Sequence, residues 1–452
     1  MIPLSGKGTL AYSSGLLAAG VFYAFNNFTL PLYLSLYTSN AILIGWLCST
    51  RSFEQSIVQP LIGAWSDRTW TRLGRRAPFF LTAMPAAAVL LVINGLLPHD
   101  PTILWLVVAV VFLFSFLFNI GIDPYFALLA DATTPEQRGT VNGIAQVSGF
   151  VGQVVLLIAA AFLWSIHPAW VFSLVAVSLL LGFGVVALGV RERGEKSDLA
   201  VRKHASGRRS RLAFLLYLRN LFTEQDQAVK LLGVKFLYQF GINAAVPFIT
   251  LFVVSEIGLR GWPELVGAIP FGTAVGLDRI DALGVSQLIA ALMLLTMGIG
   301  AVPCGMLGDR FGKRRVFGLG LLVMGIAALL AASAVTVPQL MLYVLFIGIG
   351  NAAQTVLFFP YLIELIPSSR VGEFTGLSAF AETSGVVFSV LLAGELINLN
   401  LFGLHYRLVF CVTGLFILLA FGALLLIRRK YPYVRPMKQS HAGQRTLNDD
   451  DR

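Results

Sequence analysis

Twelve long apolar stretches constrain the fold of this chain more than any other feature of its sequence. They cover residues 11–35, 40–65, 78–97, 102–130, 140–165, 169–190, 228–258, 284–307, 316–335, 339–365, 374–398 and 406–428. A helix needs about 20 largely apolar residues to cross a bilayer, and lipid offers its backbone no hydrogen-bond partner. The stretches are too long, and alternate too little, for the strands of a membrane barrel. The sequence therefore predicts an all-α membrane protein with twelve transmembrane helices.

The basic residues are distributed unevenly among the loops that join these stretches. Of the 33 Lys and Arg residues, 27 lie in the termini or in alternate loops. These regions include residues 68–76, 138, 191–219, 310–315, 370 and 428–452. Cytoplasmic loops of membrane proteins carry such an excess. We therefore expect a multi-pass protein of the cell membrane with both termini in the cytoplasm. The net charge of +10 comes from the basic residues of these cytoplasmic regions, so we expect no binding of nucleic acid.

Two charged turns repeat at half-chain distance. The turn at 63–76 and the turn at 305–314 each contain a Gly four residues before Asp-Arg, followed by Gly and two basic residues. The first copy carries four extra residues between its Arg68 and Gly74. A weaker similarity relates the loops at 131–143 and 364–376 in the same order. Such duplication is typical of transporter bundles built from two similar halves.

We therefore predict two pseudo-symmetric six-helix halves. The N-terminal bundle covers residues 1–190 and the C-terminal bundle covers residues 228–428. Between them, residues 191–227 form a predicted cytoplasmic loop that ends in an amphipathic helix, and residues 429–452 form a cytoplasmic tail.

These features resemble the major facilitator superfamily, whose repeated loops between spans 2 and 3 and between spans 8 and 9 carry this Gly, Asp-Arg, Gly-basic-basic pattern. Within that superfamily, residues 58–79 and the stretch Ala127–Asp131 are similar to sucrose/proton symporters. The Asp123-Pro124-Tyr125 stretch is similar to the glycoside–pentoside–hexuronide cation symporters. The resemblance implies two halves that rock around a site at the bilayer midplane, with spans 2 and 4 side by side.

Charged residues inside spans are predicted to couple transport to an ion. Arg51, Glu54, Gln55 and Gln59 fall on one face of span 2, and Asp123 precedes a proline in span 4. Each charge costs about 2.5–3.5 kcal/mol on insertion scales and therefore needs a structural or functional reason. Arg51, Glu54 and Asp123 are our ion-coupling candidates. The alternative is a permanent buried pair between Arg51 and Glu54, which are i,i+3 neighbours.

The remaining polar residues of the spans, with the two glutamines of span 2, are predicted to bind the substrate. These are Asn26, Asn27, Gln55, Gln59, Lys235, Gln239, Asn243, Asn351, Gln354 and Glu382. Sugar recognition requires several converging amides and charges together with aromatic faces. Tyr23, Phe25, Tyr238 and Phe240 offer such faces, although aromatic residues in membrane helices more often pack or face lipid.

The repeated turns are predicted to form a cytoplasmic gate that holds the outward-open state. Its residues are Gly63, Asp67, Arg68, Arg75, Gly305, Asp309, Arg310 and Arg314. Charge-assisted bonds at helix ends can clamp neighbouring spans. The alternative is that these charges only anchor the topology.

The sequence contains no phosphate-binding loop and no nucleophile–base motif, and we expect no cofactor and no metal site. An ion gradient is then the expected energy source for a protein that is not an enzyme. We predict a monomeric carrier that moves a small glycoside, such as sucrose, in symport with a proton or sodium, the proton being favoured. Two alternatives stay open: an exporter of amphipathic small molecules, and a non-transporting membrane assembly factor on the same fold.

Overall fold

The structure is a computed structural model that describes residues 4–69, 71, 73–134, 137–190, 226–270, 272–366 and 371–427. Twelve long helices account for most of this part of the chain, which contains no strand. They are α1 Gly6–Leu34, α2 Ala41–Arg68, α3 Ala77–Leu96, α4 Leu104–Ala132, α5 Arg138–Leu163, α6 Pro168–Gly189, α7 Gln227–Ile257, α8 Ala282–Phe311, α9 Lys313–Ala332, α10 Val337–Leu365, α11 Val371–Asn398 and α12 Arg407–Leu425.

Eleven of these helices are long and apolar enough to cross a membrane. In α2 the apolar part is the shorter stretch Ala41–Thr50, which precedes the polar residues Arg51 and Glu54. The prediction of an all-α protein with twelve spans is confirmed. The segment between α7 and α8 contains a short helix at Trp262–Ala268.

The first helix of each half departs from regular α geometry. α1 contains a π-helical segment at Phe25–Thr29, and α7 contains one at Val253–Ile257. α7 also loses its regular hydrogen bonding around Pro247, which lacks a backbone N–H. In α1 the irregular segment is followed by Pro31. π-helical turns of this kind widen the helix and are frequent at functional sites.

The helices run alternately between two ends of the bundle. We call one the basic end, because it carries Arg75, Arg138 and Arg314, and the other the opposite end. Within the first half, α1 packs against α5 and α6, and α3 packs against α4 and α6. Within the second half, α7 packs against α11 and α12, and α10 packs against α8 and α9. The two halves meet mainly where α2 contacts α11 and where α5 contacts α8.

Close contacts between the halves lie at the opposite end and depend on glycine. A Cβ atom added at Gly394 of α11 would lie 2.7 Å from Ile42 Cα, and one added at Gly284 of α8 would lie 2.5 Å from Ala161 O. At Gly45 of α2 it would lie 2.6 Å from a methyl group of Val390. Small residues let membrane helices approach to backbone contact. These glycines therefore bring the halves together at this end.

Hydrogen bonds between the halves reinforce the same contact. Asn398 accepts from the backbone N–H of Ala41 at 2.9 Å and donates to Asn40 at 3.0 Å. Thr29 donates to Gln287 Oε1 at 3.1 Å, which joins α1 to α8. These side-chain bonds between the halves all lie at the opposite end.

Two predicted regions fall outside the described residues. The central loop and its amphipathic helix at 191–227 are described only at residues 226 and 227, and the tail at 429–452 is not described. These two assignments, and the domain boundaries that depend on them, stay predictions.

Candidate functional site

The two carboxylates predicted to couple an ion lie on adjoining helices of the first half. Glu54 of α2 is buried, with 4% of its surface exposed, and its Oε2 accepts a hydrogen bond from Asn119 Nδ2 of α4 at 3.1 Å. Asp123 lies one helical turn after Asn119 and is also buried. Spans 2 and 4 therefore adjoin, as the resemblance implies. The side chains of Arg51, Gln55 and Gln59 lie outside the described residues, so the Arg51–Glu54 pair stays a prediction.

Asn119 is a partner that the sequence reasoning missed. Ser115, Asn119 and Asp123 are successive i,i+4 positions and therefore line one face of α4. All three are buried. Residues 235, 239 and 243 of α7 have the same i,i+4 spacing, so such a pattern could have been recognised in the sequence of α4 as well.

The π-helical segment of α1 places two predicted asparagines near this site. Asn26 is buried, and its amide nitrogen donates to the carbonyl oxygen of Cys48 in α2 at 2.7 Å. Its side-chain oxygen is buried and finds no hydrogen-bond partner in the described part of the chain. Asn27 is half-buried beside it. Asn26 therefore ties α1 to α2 about two turns before Glu54.

A second polar cluster lies in the other half. Lys235 Nζ of α7 is 3.2 Å from Glu382 Oε2 of α11, and their side chains are 13% and 50% exposed. The same ammonium lies 4.8 Å from the centre of the Phe358 ring and 5.6 Å from that of Tyr238. Aromatic faces attract a cation at such distances. The Lys235 ammonium is therefore held between the Glu382 carboxylate and the two aromatic rings, while the Glu382 side chain remains half exposed.

Asn351 of α10 joins this second cluster. The Tyr238 hydroxyl donates to Asn351 Oδ1, and the Asn351 amide nitrogen lies 3.3 Å from the sulfur of Met297. The structure therefore brings Lys235, Asn351 and Glu382 together.

The other predicted substrate residues of this half are placed differently. Asn243 donates to Gln239 Oε1 at 3.1 Å within α7. Gln354 is buried and donates to the carbonyl oxygen of Phe317 in α9 at 3.0 Å. Gln354 thus ties α10 to α9 and is not part of the Lys235 cluster.

The first charged turn is held by an acidic residue at the end of α4. Both Arg75 and Arg76 donate to Asp131, with Arg76 Nε at 3.0 Å from Asp131 Oδ2. Arg76 also donates to Ser66 of α2. A planar guanidinium is suited to such paired contacts with a carboxylate. The turn therefore ties the basic ends of α2, α3 and α4 together.

The second turn repeats this arrangement in weaker form. Lys313, which aligns with Arg75, lies 2.7 Å from Glu364, and Glu364 aligns with Asp131. In each half, an ion pair therefore joins the repeated turn to the repeated loop: Arg75 to Asp131 in the first half and Lys313 to Glu364 in the second. Gly74 and Gly312 have φ of 101° and 96°, a conformation that favours glycine, which explains the glycine of each turn.

The predicted gate residues do not all take part in these pairs. Arg314 donates to the carbonyl oxygens of Leu424 and Leu425 at 3.4 and 3.1 Å, at the end of α12. Arg310 packs over the ring of Phe311. Asp309 is exposed, Gly63 has open space at its Cβ position, and a Cβ at Gly305 would touch Val356 at 3.4 Å.

The side chains of Asp67 and Arg68 lie outside the described residues, so a gate between the halves stays a prediction. The described pairs of this end join helices of the same half.

Removing the carboxylate of Asp131 is expected to destabilise the first half. In Asp131→Asn two arginines that are almost buried lose their shared anion, which should cost about 2–3 kcal/mol of unfolding free energy. The matched change Glu364→Gln affects an exposed pair and should cost about 0.5 kcal/mol. Thermal unfolding of the purified variants in detergent measures both. Equal losses in the two variants would contradict this assignment.

Comparison with known protein families agrees with this architecture. The family model described as Major Facilitator Superfamily matches residues 12–278 and 280–448. The solved structure of the nucleoside transporter NupG superposes with a TM-score of 0.66 at 11% identity, and the match covers 93% of this chain and 98% of that one. At this identity the likeness concerns the fold alone.

Curated relatives match over shorter segments. The putative metabolite transport protein YyaJ of Bacillus subtilis (strain 168) is 34% identical over 122 residues, which are 27% of this chain and 27% of that protein. The sucrose transport protein SUC3 of Arabidopsis thaliana is 29% identical over 137 residues, covering 26% of this chain and 22% of that protein. The chain thus matches only about a quarter of the length of these relatives.

Proposed function

The chain belongs to the major facilitator superfamily, and from this premise we propose that it carries a small glycoside, such as sucrose, in symport with a proton. Membership makes the protein a multi-pass membrane transporter and not an enzyme. Its relatives include a sucrose transport protein and a metabolite transport protein. The substrate and the coupled ion are the parts of this assignment that are proposed.

The buried environment of Glu54 carries the proposal. One carboxyl oxygen accepts from Asn119, and the other, Oε1, is buried without a hydrogen-bond partner in the described part of the chain. Burying a carboxylate charge in an apolar surrounding is costly, whereas a protonated carboxyl is neutral. Among the described residues no cation pairs with Glu54, so proton binding there would remove a buried charge that these residues leave uncompensated. Asp123, one turn from Asn119, supplies a second carboxyl for the same proton pathway.

The proposed substrate site lies between this pair and the cluster of the second half. A carboxylate such as Glu382 and an amide such as Asn351 are suited to bind sugar hydroxyls, while the buried rings of Tyr238 and Phe358 support Lys235. On this proposal Lys235 holds Glu382 in place until the substrate binds.

The contacts between the halves support an alternating-access mechanism. The halves are joined by glycine contacts and hydrogen bonds at the opposite end, whereas the described ion pairs of the basic end stay within one half. We take this conformation to be open toward the basic end. With both termini in the cytoplasm, as the charge distribution predicts, it is the inward-facing state. Rocking of the halves would then open the opposite end to the exterior.

Uptake into proteoliposomes tests this function directly. Purified protein is reconstituted, and entry of labelled sucrose and maltose is compared under an imposed pH gradient and an imposed sodium gradient. We expect accumulation of sugar with the pH gradient and none above equilibration with sodium alone. Accumulation driven by sodium would overturn the proposed ion while keeping the symport.

A different outcome would direct attention to the alternatives. If folded protein moves neither sugar under either gradient, the glycoside assignment fails. Efflux of an amphipathic dye would then favour an exporter. A pigment or partner protein that copurifies in fixed ratio would favour an assembly factor.

A further inference from the structure

A cavity of 540 Å³ lies at the basic end between α9 and α12, away from the site described above. Arg314 and Arg315 line its polar side, and Leu319 and Phe421 line its apolar side. Gly318 supplies no side chain to the cavity, and a Cβ there would lie 3.2 Å from Leu424. The cavity thus combines two cations with an apolar wall at the end of two membrane-spanning helices.

No carboxylate of the described residues compensates the positive charge of this cavity. Arg314 donates to the carbonyl oxygens at the end of α12, and neither it nor Arg315 pairs with a carboxylate in the described part of the chain. A guanidinium has five N–H donors, so Arg314 keeps donors for another acceptor. The Arg315 side chain is exposed and pairs with no carboxylate of the described residues. Two arginine charges therefore face the cavity.

The equivalent turn of the first half differs from this one in the pairing of its second basic residue. Arg76, which aligns with Arg314, is buried and bonded to Asp131 and Ser66. In the second half, Glu364 pairs with Lys313. Arg314 therefore has no carboxylate partner among the described residues, whereas Arg76 in the first half pairs with Asp131.

The start of α9 adds to the attraction for an anion. α9 begins at Lys313 after Gly312, with no side-chain cap on its first N–H groups and no acidic residue in its first turn. The first turn of a helix carries a partial positive charge and unpaired N–H groups. The N–H groups of this first turn and the two arginines lie at the same end of the cavity, where all of them attract an anion.

We propose that this cavity binds one anionic phospholipid, with its phosphate at Arg314 and Arg315 and an acyl chain along Leu319 and Phe421. Leu319 is 59% exposed, so the apolar wall is open to the surroundings of the bundle. A free phosphate would satisfy the arginines but would leave this apolar wall without a ligand. A phospholipid satisfies both sides of the cavity, and its headgroup lies at the depth where these helices end.

Native mass spectrometry of the full chain tests this assignment. Protein in detergent micelles is supplied with equal amounts of phosphatidylglycerol and phosphatidylcholine, and the lipid retained on the protein is counted. We expect one phosphatidylglycerol to be retained in preference to phosphatidylcholine. Each arginine should contribute about fivefold to its affinity, so Arg314→Gln with Arg315→Gln should weaken it on the order of 30-fold.

Two single changes keep the proposal testable if the double variant folds poorly. Arg315→Gln removes a charge that forms no ion pair within the described part of the chain, and it should weaken binding about fivefold. Gly318→Leu fills the apolar part without changing the charge, and it should also reduce retention. Arg138→Gln is the matched control, since Arg138 is exposed at the same end and donates to the carbonyl of Ala130 at 3.0 Å.

Two outcomes would overturn the assignment. Equal retention of phosphatidylglycerol by wild type, Arg315→Gln and Gly318→Leu would show that the cavity does not hold it. Full displacement of the lipid by millimolar inorganic phosphate, with no effect of Gly318→Leu, would show a site for free anions. Sugar uptake by Arg315→Gln and Gly318→Leu, measured in parallel, separates this proposal from the transport proposal, because neither residue belongs to the proposed substrate site or to the predicted gate.

Discussion

Glu54→Gln is expected to abolish the accumulation of sugar that a pH gradient drives. The amide has nearly the shape of the protonated carboxyl but can neither release nor accept the proton. A gradient of about two pH units supplies about 2.7 kcal/mol per proton, which corresponds to roughly 100-fold accumulation for one coupled proton. In the variant the accumulation ratio should therefore fall to about 1. Exchange of labelled for unlabelled sugar, which needs no net proton movement, should persist.

Two further variants define what this result means. Asp123→Asn should reduce accumulation in the same direction if the second carboxyl belongs to the proton pathway. Glu395→Gln is the matched control, because Glu395 is an exposed glutamate of α11 near the opposite end. It should accumulate sugar as wild type does. Unchanged accumulation in Glu54→Gln, in protein that is folded and inserted, would remove Glu54 from the mechanism.

The second large effect is expected from Gly394→Leu, which should prevent closure of the opposite end. The new Cβ would lie 2.7 Å from Ile42 Cα and 2.9 Å from Ala41 O, and both atoms belong to backbone that cannot move aside as a side-chain end can. Overpacking of this severity costs about 3 kcal/mol, which changes the ratio of closed to open conformations roughly 150-fold. The variant should therefore populate the conformation in which the opposite end is open.

Spin-label distances measure this shift. Labels at Leu36 and Leu401, which lie on different halves at the opposite end, should move apart in Gly394→Leu, and sugar uptake should fall. Gly376→Leu is the matched control on the same helix, since nothing lies within 4 Å of a Cβ at Gly376. It should retain the wild-type distance. An unchanged distance in Gly394→Leu would mean that the glycine contact does not set the conformation.

Much of the architecture was predictable because apolar length and charge distribution act locally. A stretch long enough to span the bilayer must be helical, and the twelve predicted spans agree with the helices to within several residues. The duplication was also predictable from the charged turns. The pairing of Lys313 with Glu364 then repeats that of Arg75 with Asp131.

The sequence was less informative about which polar residues meet. Asn119 was missed as the partner of Glu54, although its i,i+4 spacing from Asp123 marks the same helix face. Gln354 illustrates the opposite case, because its position within α10 does not reveal that it bonds to the backbone of α9. Contacts between distant helices depend on rotation about each helix axis, and hydropathy does not specify that rotation when most faces are apolar. The glycine contacts were not predictable for the same reason.

The way in which the halves touch also bears on how fast they can part. At Gly284 and Gly394 the helices approach through backbone, and at Gly45 the contacts are the Val390 methyl group and the edge of the Phe248 ring. Within the described part of the chain, separation there breaks a small number of amide and hydroxyl hydrogen bonds. The activation enthalpy for opening should accordingly be low. The temperature dependence of turnover would then report the movement of substrate and proton rather than the release of this contact.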